Sequence, residues 1–502
     1  MNLRLSSTLN EENPPPVWLT LLIAAGVGVV AGIIVGTVST PIYLIAAALA
    51  GLAVLGTVYS LDLGLMVLCF ITYMRLSDVL IYEHGAPSIA VPWIVLLSTV
   101  LVLRWITVAP PMRGWETPAV FISLVGLIGL ASILVAAEPD RVVEASGNFA
   151  KNALIALLLV LLLHRLTSLR RVVWVLIAAG LIMGSVSVYQ HQTGTFETTY
   201  WGYGRAAIKH IVGRTDSYRV SGPLGDPNFF ALILIPLVPL AIDRMRNEPS
   251  RMLRIIAGAA AGICSLAIIF TYSRGGFVAL LFILGMLLLP SFRRPTHAVS
   301  LLLLILLLTP LLPSSYVERM RTIPVIGTLF GEQREADSAL RGRRGEMAVG
   351  MLMFLEHPVL GVGLQNYPVQ FQKYSLEEGI DSRKESRTPH NLYLEIAAEN
   401  GLLGLVAFGL LLGGLFHGLK NAGQNFAKAR LPEGTHIVDA LRVSILAYLV
   451  GSMFLHGAYP RFFWLLVGVA FGAARVANLE VAGWAETEKK VLPAPAAQSG
   501  LS

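Results

Sequence analysis

Residues 124–137 read LVGLIGLASILVAA, a stretch without a single charged side chain. A second stretch of the same kind, AVSLLLLILLLTPLLP, occupies residues 298–313. The hydrocarbon core of a bilayer is crossed by about 20 apolar residues in a helix, because a helix satisfies its own backbone hydrogen bonds. These runs decide the fold, since they predict helices that cross a membrane.

The composition of the whole chain agrees with that interpretation. Of its 502 residues, 55% are hydrophobic and 14% are charged, whereas a soluble domain carries about 25% charged residues. The alternating pattern of an outer-membrane β-barrel is absent. Cys69 and Cys264 both lie in apolar segments, which argues against a disulfide framework or a metal site. The sequence therefore predicts an all-α polytopic membrane protein.

We predict 12–14 transmembrane helices, because residues 41–75 can form separate helices or one kinked or re-entrant unit. The predicted spans are 17–38, 41–59, 61–75, 89–108, 118–137, 149–164, 171–190, 227–242, 253–271, 275–290, 298–313, 391–416, 438–455 and 461–479.

Basic residues in the short loops predict the orientation, because such loops stay on the cytoplasmic side. The loops 164–171, 243–254, 291–297 and 417–430 are each net basic and alternate correctly with the spans. Both termini are then cytoplasmic, and the turn 271–275 lies on the periplasmic side. The predicted regions are N-terminal transmembrane helices (1–190), a central transmembrane region (191–313) with a periplasmic loop (191–226), a large periplasmic loop (314–390), C-terminal transmembrane helices (391–479) and a disordered cytoplasmic tail (480–502).

The large loop is long enough to carry its own helices and a function. Within it, residues 343–358 read RRGEMAVGMLMFLEHP and place apolar side chains at helical spacing. This pattern predicts an amphipathic helix that lies on or over the membrane face. Pro358, Gly361 and Gly363 are expected to end that helix and turn the chain.

Two arginines are predicted to lie beside helix N-termini. Arg274, in TYSRGGFVALL, stands in a very short turn, where Gly275 and Gly276 allow close approach of backbone and ligand. Free N–H groups at a helix start and a guanidinium together suit an anion. The alternative for Arg274 is an arginine that snorkels to the interface.

Arg219 lies in SYRVSGPLGDPNFFALIL, ahead of a run of turn signals. Asp226 or Asn228 can cap the helix that follows, and Pro227 helps to fix its start. We predict an anion site here too, with a structured surface loop as the alternative. Two weaker candidates in the same loop are Arg205 and Arg214.

His390 precedes Asn391 at the mouth of the predicted helix 391–416. A histidine there can take a proton from a hydroxyl, although from the residues alone an interfacial helix-cap role is favoured. Glu395 and Glu399 share one face of that helix, and pairing with Arg274 or Arg219 would offset their burial. We favour a structural role for this carboxylate pair.

His456, in FLHGAYPRFFW, is interpreted as an interfacial residue rather than a neighbour of the site.

The sequence contains no P-loop, dinucleotide fingerprint or Cys/His metal set, so we predict no cofactor and no metal. The net charge of +7 does not indicate a nucleic-acid partner, because basic residues in a membrane protein lie mainly in its cytoplasmic loops. Several arginines with one histidine suggest a ligand that bears phosphates, in which the arginines neutralise a diphosphate leaving group.

Four segments together resemble the O-antigen ligase and O-antigen polymerase superfamily of bacteria. They are RVSGPLGDPNFFA, YSRGGFVALL, EHPVLGVGLQNY and PHNLYLEIAAENGLLGL. The resemblance covers roughly residues 200–480, and the N-terminal third matches only in hydrophobicity.

The resemblance implies a GT-C-like glycosyltransferase of the bacterial inner membrane with its active site facing the periplasm. Such enzymes take a glycan from undecaprenyl diphosphate and pass it to a lipid A-core sugar (ligases) or to another carrier-linked glycan (polymerases of O-antigen or exopolysaccharide). By the matching motifs, His390 would be catalytic and Glu399 supporting. The same resemblance implies that the donor diphosphate binds Arg219, Arg274, Arg343 and Arg344.

Three functions stay open at this point. We favour ligase-type transfer, with the repeat-unit polymerase as the first alternative. A membrane transporter is the second, although transporters carry polar groups and broken helices near the midplane, whereas the polar groups here gather at one face.

Overall fold

The computed structural model describes residues 51–108, 114–212, 215–291, 338–377, 379–380, 387–455 and 460–491, with single residues at 299, 303, 316, 319 and 320. The helices are α1 Leu61–Tyr73, α2 Leu76–His84, α3 Ala90–Val108, α4 Glu116–Ala131, α5 Pro139–Leu162, α6 Leu166–Thr193, α7 Pro227–Leu234, α8 Leu237–Asn247, α9 Arg251–Phe270, α10 Arg274–Ser291, α11 Ser338–Glu356, α12 Tyr367–Glu377, α13 Leu392–Lys428, α14 Pro432–Gly451 and α15 Arg461–Val491. Residues 51–59 are also helical.

The described part of the chain is a helical bundle, which confirms the predicted class of all-α polytopic membrane protein. Nine of its helices are long and apolar enough to cross a membrane, counting α7 and α8 together. A tenth is added if α1 and α2, bent by 52°, form one broken span. The predicted span 17–38, the first part of 41–59, and all of 298–313 except residues 299 and 303 lie outside the described residues. Helix α15 packs against α5 and α13, and its buried Trp464 lies with its ring 4.9 Å from that of Phe149 on α5.

One region departs from the predicted all-helical architecture. Residues 205–222, expected to be part of a loop, form an antiparallel hairpin of β1 (Arg205–Val212) and β2 (Thr215–Gly222). The pairing sets Ala207 opposite Arg219. The missed signal was two runs rich in β-branched and aromatic residues, separated by Gly-Arg, which is a hairpin pattern. Arg214 lies outside the described residues, and Arg205 forms an ion pair with Glu83.

The predicted disordered tail is also helical in its first part. Helix α15 continues from the last span to Val491. Residues 480–491 are rich in alanine, glutamate and lysine, which favour helix, and that preference was underestimated. The remaining residues, 492–502, lie outside the described part.

Buried charges brace the bundle at the end where α8 meets α14. Arg244 is fully buried and bonds to Asp243 at 2.7 Å and Glu433 at 2.8 Å. Arg170 contacts Glu433 at 3.2 Å and also pairs with Glu248. Charges that are paired in this way hold three helices in register.

Helix α13 is broken at Gly401, whose φ of 63° and ψ of −157° are not helical. The loop after α11 supplies hydrogen-bond partners for the backbone groups at the break. Val362 N–H donates to Ala398 O at 2.8 Å, and Gly363 N–H donates to Glu399 O at 3.0 Å. Beyond the break, Leu402 N–H donates to Pro358 O at 2.7 Å. The motifs EHPVLGVGLQNY and IAAENGLLGL are therefore two halves of one interlocked structure.

Substitution of Gly401 by alanine is expected to destabilise this interlock. The observed φ and ψ are accessible essentially only to glycine, and a Cβ there would lie 2.4 Å from the Val359 backbone. We expect a loss of at least about 3 kcal/mol, measured as a lower melting temperature of the detergent-solubilised protein.

The matched control is Gly409→Ala in the same helix, because nothing lies within 4 Å of a Cβ at that position. A melting temperature of Gly401→Ala equal to that of Gly409→Ala would contradict the interlock.

Candidate functional site

The candidate site lies where β2, the turn before α10, α11 and the start of α13 meet, which we call the hairpin end of the bundle. Arg219, on β2, is 3% exposed. Its Nε donates to Thr271 O at 2.6 Å, and its Nη2 donates to Asn228 Oδ1 at 3.0 Å. Asp226, one of the two predicted caps, is the residue that caps α7. Its Oδ1 accepts hydrogen bonds from the N–H groups of Asn228 and Phe229. Asn228 instead fixes the arginine.

The turn that joins α9 to α10 fixes a second guanidinium. Tyr272 has a positive φ of 51°, which is uncommon for a bulky residue. Its carbonyl accepts from Arg319 Nε at 2.8 Å, next to the Thr271 carbonyl that holds Arg219. Arg319 is 9% exposed, and the sequence offered no turn or cap signal that would have singled it out. Two successive carbonyls thus position two arginines side by side.

Arg274 begins α10 directly after this turn, as predicted. The following N-terminus is capped by Ser273, whose Oγ accepts from Gly276 N–H at 3.2 Å. The two glycines serve helix packing rather than access for a ligand. A Cβ on Gly275 would lie 2.9 Å from Phe454, and a Cβ on Gly276 would lie 3.1 Å from Ala231.

Four arginines form what we call the arginine cluster: Arg219, Arg274, Arg319 and Arg343. Burial, followed by the positive charge of Arg319, lowers the pKa of Arg219 to about 9, with further lowering by Arg343 and Arg274 and a partial offset from Asp226. Arg219 is still protonated at neutral pH. Like charges held this close repel one another, so an anion bound among them would be strongly stabilised.

The structure separates the two arginines of α11 that the sequence could not distinguish. The charge of Arg343 acts on Arg219. Arg344, one residue further along the helix, is exposed to solvent. Successive residues of a helix point about 100° apart, so only one of the pair can turn toward the cluster.

His390 is oriented by a carboxylate that the sequence analysis missed. Its Nδ1 lies 2.8 Å from Glu346 Oε2, and Glu346 is 4% exposed. Arg387 Nη1 donates to the other oxygen of Glu346 at 3.2 Å, which offsets the charge of this buried carboxylate. The Tyr367 hydroxyl donates to the Glu346 carbonyl at 2.6 Å. An available signal was Glu346, an acidic residue placed directly before the apolar run MAVGMLMFL.

A carboxylate only accepts hydrogen bonds, so this contact assigns a proton to Nδ1. The helix-cap role that was the alternative for His390 belongs to its neighbour. Asn391 Oδ1 accepts from Tyr393 N–H and Leu394 N–H, each at 3.0 Å.

Helix α11 joins the arginine cluster to the histidine. Arg343 and Glu346 are three residues apart, and such neighbours on a helix have Cβ atoms about 5–6 Å apart. One side chain contributes charge to the cluster, and the other holds His390. The two parts of the site are thus fixed by a single helical turn.

Glu395 and Glu399 are both buried. The backbone N–H groups of Gln365 and Tyr367 bond to the Glu399 carboxylate, which replaces the arginine partner expected for it. This contact joins α13 to the segment after α11, and it supports the structural interpretation of Glu399. Glu395 lies in the first turn of α13, where a negative charge suits the helix dipole. His456 lies outside the described residues.

The fold and the site together define a multi-pass membrane protein with a cluster of arginines and an oriented histidine at one end of the bundle. Residues 259–409 match the family described as O-antigen ligase. This match confirms the predicted resemblance to the O-antigen ligase and O-antigen polymerase superfamily. The match spans α9, α10, α11, His390 and the broken part of α13. None of the curated proteins compared with the chain matches it.

Proposed function

We propose that this protein transfers a glycan from a polyprenyl diphosphate carrier to an acceptor hydroxyl, as an O-antigen ligase-type enzyme of the bacterial inner membrane. The site then faces the periplasm, because the short basic loops, which stay on the cytoplasmic side, lie at the opposite end of the bundle from the hairpin. The match of residues 259–409 to the O-antigen ligase family supports glycan transfer in a membrane. The observation that carries the proposal is α11, which brings the arginine cluster and the Glu346–His390 pair within one helical turn.

The arginines act on the leaving group. As the bond between the anomeric carbon and the diphosphate oxygen breaks, negative charge develops on the diphosphate. Arg219 and Arg319 are already oriented by the Thr271 and Tyr272 carbonyls, so they stabilise that charge without reorganising. Buried positive charge of this density favours a dianionic group over a single carboxylate.

The histidine acts on the acceptor. A sugar hydroxyl is too weak an acid to lose its proton unaided near neutral pH. Nε2 of His390 takes that proton while the hydroxyl oxygen bonds to the anomeric carbon, and Glu346 stabilises the imidazolium that forms. The carrier leaves as polyprenyl diphosphate. Two membrane-anchored substrates also gain from being held together in one cleft.

The test is a transfer assay with purified protein in liposomes that contain an undecaprenyl diphosphate-linked glycan. One arm supplies lipid A-core as acceptor, and the other supplies only the lipid-linked glycan. Glycan on lipid A-core supports the ligase, whereas chain extension without it supports the polymerase. Absence of transfer in both arms, with uptake of a solute by the same liposomes, would refute the proposal in favour of a transporter.

Replacement of Glu346 by glutamine is expected to reduce turnover by about 100-fold, because an amide can donate to Nδ1 and so favour the wrong tautomer of His390. The measurement is kcat separately from KM for the donor. A purely structural role for Glu346 would instead lower stability and leave the kcat of the folded fraction unchanged. Glu346→Asp, which keeps the charge, should restore part of the turnover.

A further inference from the structure

Helix α11 presents an exposed apolar stripe that the proposed chemistry does not use. Met347, Met351 and Leu355 are 49%, 50% and 65% exposed, at a spacing of four residues. The opposite face is buried, with Val349 and Met353 fully enclosed. A contiguous apolar surface of this kind marks a lipid or partner contact.

The stripe continues onto a membrane helix. After α11 the next exposed apolar side chain is Val359, whose carbonyl accepts from Leu403 N–H at 3.3 Å. Leu402 and Leu403 are exposed on α13, and the same helix exposes Val406 and Leu410 further along. Because α13 is long and apolar enough to cross a membrane, these side chains face lipid. The stripe on α11 is therefore continuous with a lipid-facing surface.

The other end of the stripe meets the arginine cluster. Arg343 precedes Met347 by four residues, so it lies on the same side of α11, one turn before the first apolar side chain. From Arg343 to Leu355 the helix rises about 18 Å, at about 1.5 Å per residue. A surface that is cationic at one end and apolar along its length fits an amphiphile with an anionic head and a long hydrocarbon tail.

We propose that this stripe is the track on which the isoprenoid tail of the carrier lies, with the diphosphate at the arginine cluster and the tail running over Met347, Met351 and Leu355 to α13. The inference rests on the proposed function for the identity of the donor. Methionine suits such a track, because its flexible and polarizable side chain adapts to irregular apolar partners such as a methyl-branched chain.

Photo-crosslinking tests the track without any transfer reaction. The photoreactive p-benzoylphenylalanine is placed at Met351, or as a control at Val102, which is exposed on α3. The protein is reconstituted in vesicles of phosphatidylethanolamine and phosphatidylglycerol that contain polyprenyl diphosphate without a glycan. We expect polyprenyl diphosphate adducts at position 351 and only phospholipid adducts at position 102. Phospholipid adducts alone at 351, or equal polyprenyl diphosphate adducts at both positions, would overturn the proposal.

Kinetics provide a second measurement in the intact enzyme. The double variant Met347→Gln/Met351→Gln is compared with Val95→Gln/Val102→Gln, which changes exposed side chains of α3. We expect the first to raise KM for an undecaprenyl-linked donor about ten-fold and to leave KM for a short farnesyl-linked donor unchanged. Equal effects on both donors would overturn the track. Failure of the wild-type protein to transfer any glycan would instead refute the proposed function, since crosslinking at 351 does not depend on transfer.

Discussion

Replacing His390 with alanine is expected to lower glycan transfer by about 10²–10⁴-fold, the usual contribution of a general base. The imidazole ring is the group that Glu346 orients, and its Nε2 is the proposed acceptor of the hydroxyl proton. Binding of the lipid-linked donor should persist, because the arginine cluster is unchanged. The measurement is kcat in the liposome assay together with donor affinity by a separate titration.

A matched control for this variant is His357→Ala, because His357 is an exposed histidine just beyond the end of α11. It should keep turnover within about two-fold of the wild type, as expected for a surface side chain. If both variants lost turnover equally, or if His390→Ala transferred glycan at the wild-type rate, the histidine would have no role in the chemistry. Equal melting temperatures of the two variants would show that folding is not the cause.

Arg219→Ala is expected to reduce kcat/KM by about 10²–10³-fold, the effect of removing one donor that stabilises developing charge. The affinity for glycan-free polyprenyl diphosphate should fall as well, because the leaving group itself is the ligand of the cluster. Arg219→Lys should restore little. Lysine keeps the charge but cannot bond to Thr271 O and Asn228 Oδ1 at once through Nε and Nη2.

The comparison that decides this prediction is with Arg344→Ala. Motif resemblance implied a donor role for Arg344, but its side chain is exposed, so its removal should change kcat/KM by less than about two-fold. A larger loss from Arg344→Ala than from Arg219→Ala would mean that the diphosphate lies elsewhere. Arg319→Ala, at the neighbouring carbonyl, is expected to resemble Arg219→Ala.

The membrane helices could be predicted because each apolar run by itself indicates a helix that crosses a membrane. The turn chemistry around Asp226 and Pro227 was equally local, and the sequence correctly limited the cap of α7 to two residues. Arg319 and Glu346 could not be found in this way. Their roles depend on the Tyr272 carbonyl and on His390, which lie 47 and 44 residues away along the chain.

The hairpin 205–222 was missed for a different reason. The hairpin pattern was present in the sequence, but the hydrophobic segments on either side favoured the prediction that this region contains only helices and loops. The carboxylates of α13 illustrate a third limit, because a buried Glu399 requires a partner, yet no local pattern favours backbone N–H groups of Gln365 and Tyr367 over an arginine.

The interlock at Gly401 has a consequence for how this protein can be divided. Carbonyl groups of α13 accept hydrogen bonds from N–H groups of the loop after α11, and carbonyl groups of that loop accept hydrogen bonds from N–H groups of α13. Neither segment is therefore a self-contained module. A chimaera that exchanges the large loop between two relatives should assemble only if residues 357–366 and 397–403 come from the same parent, so the crossover points must lie outside both segments.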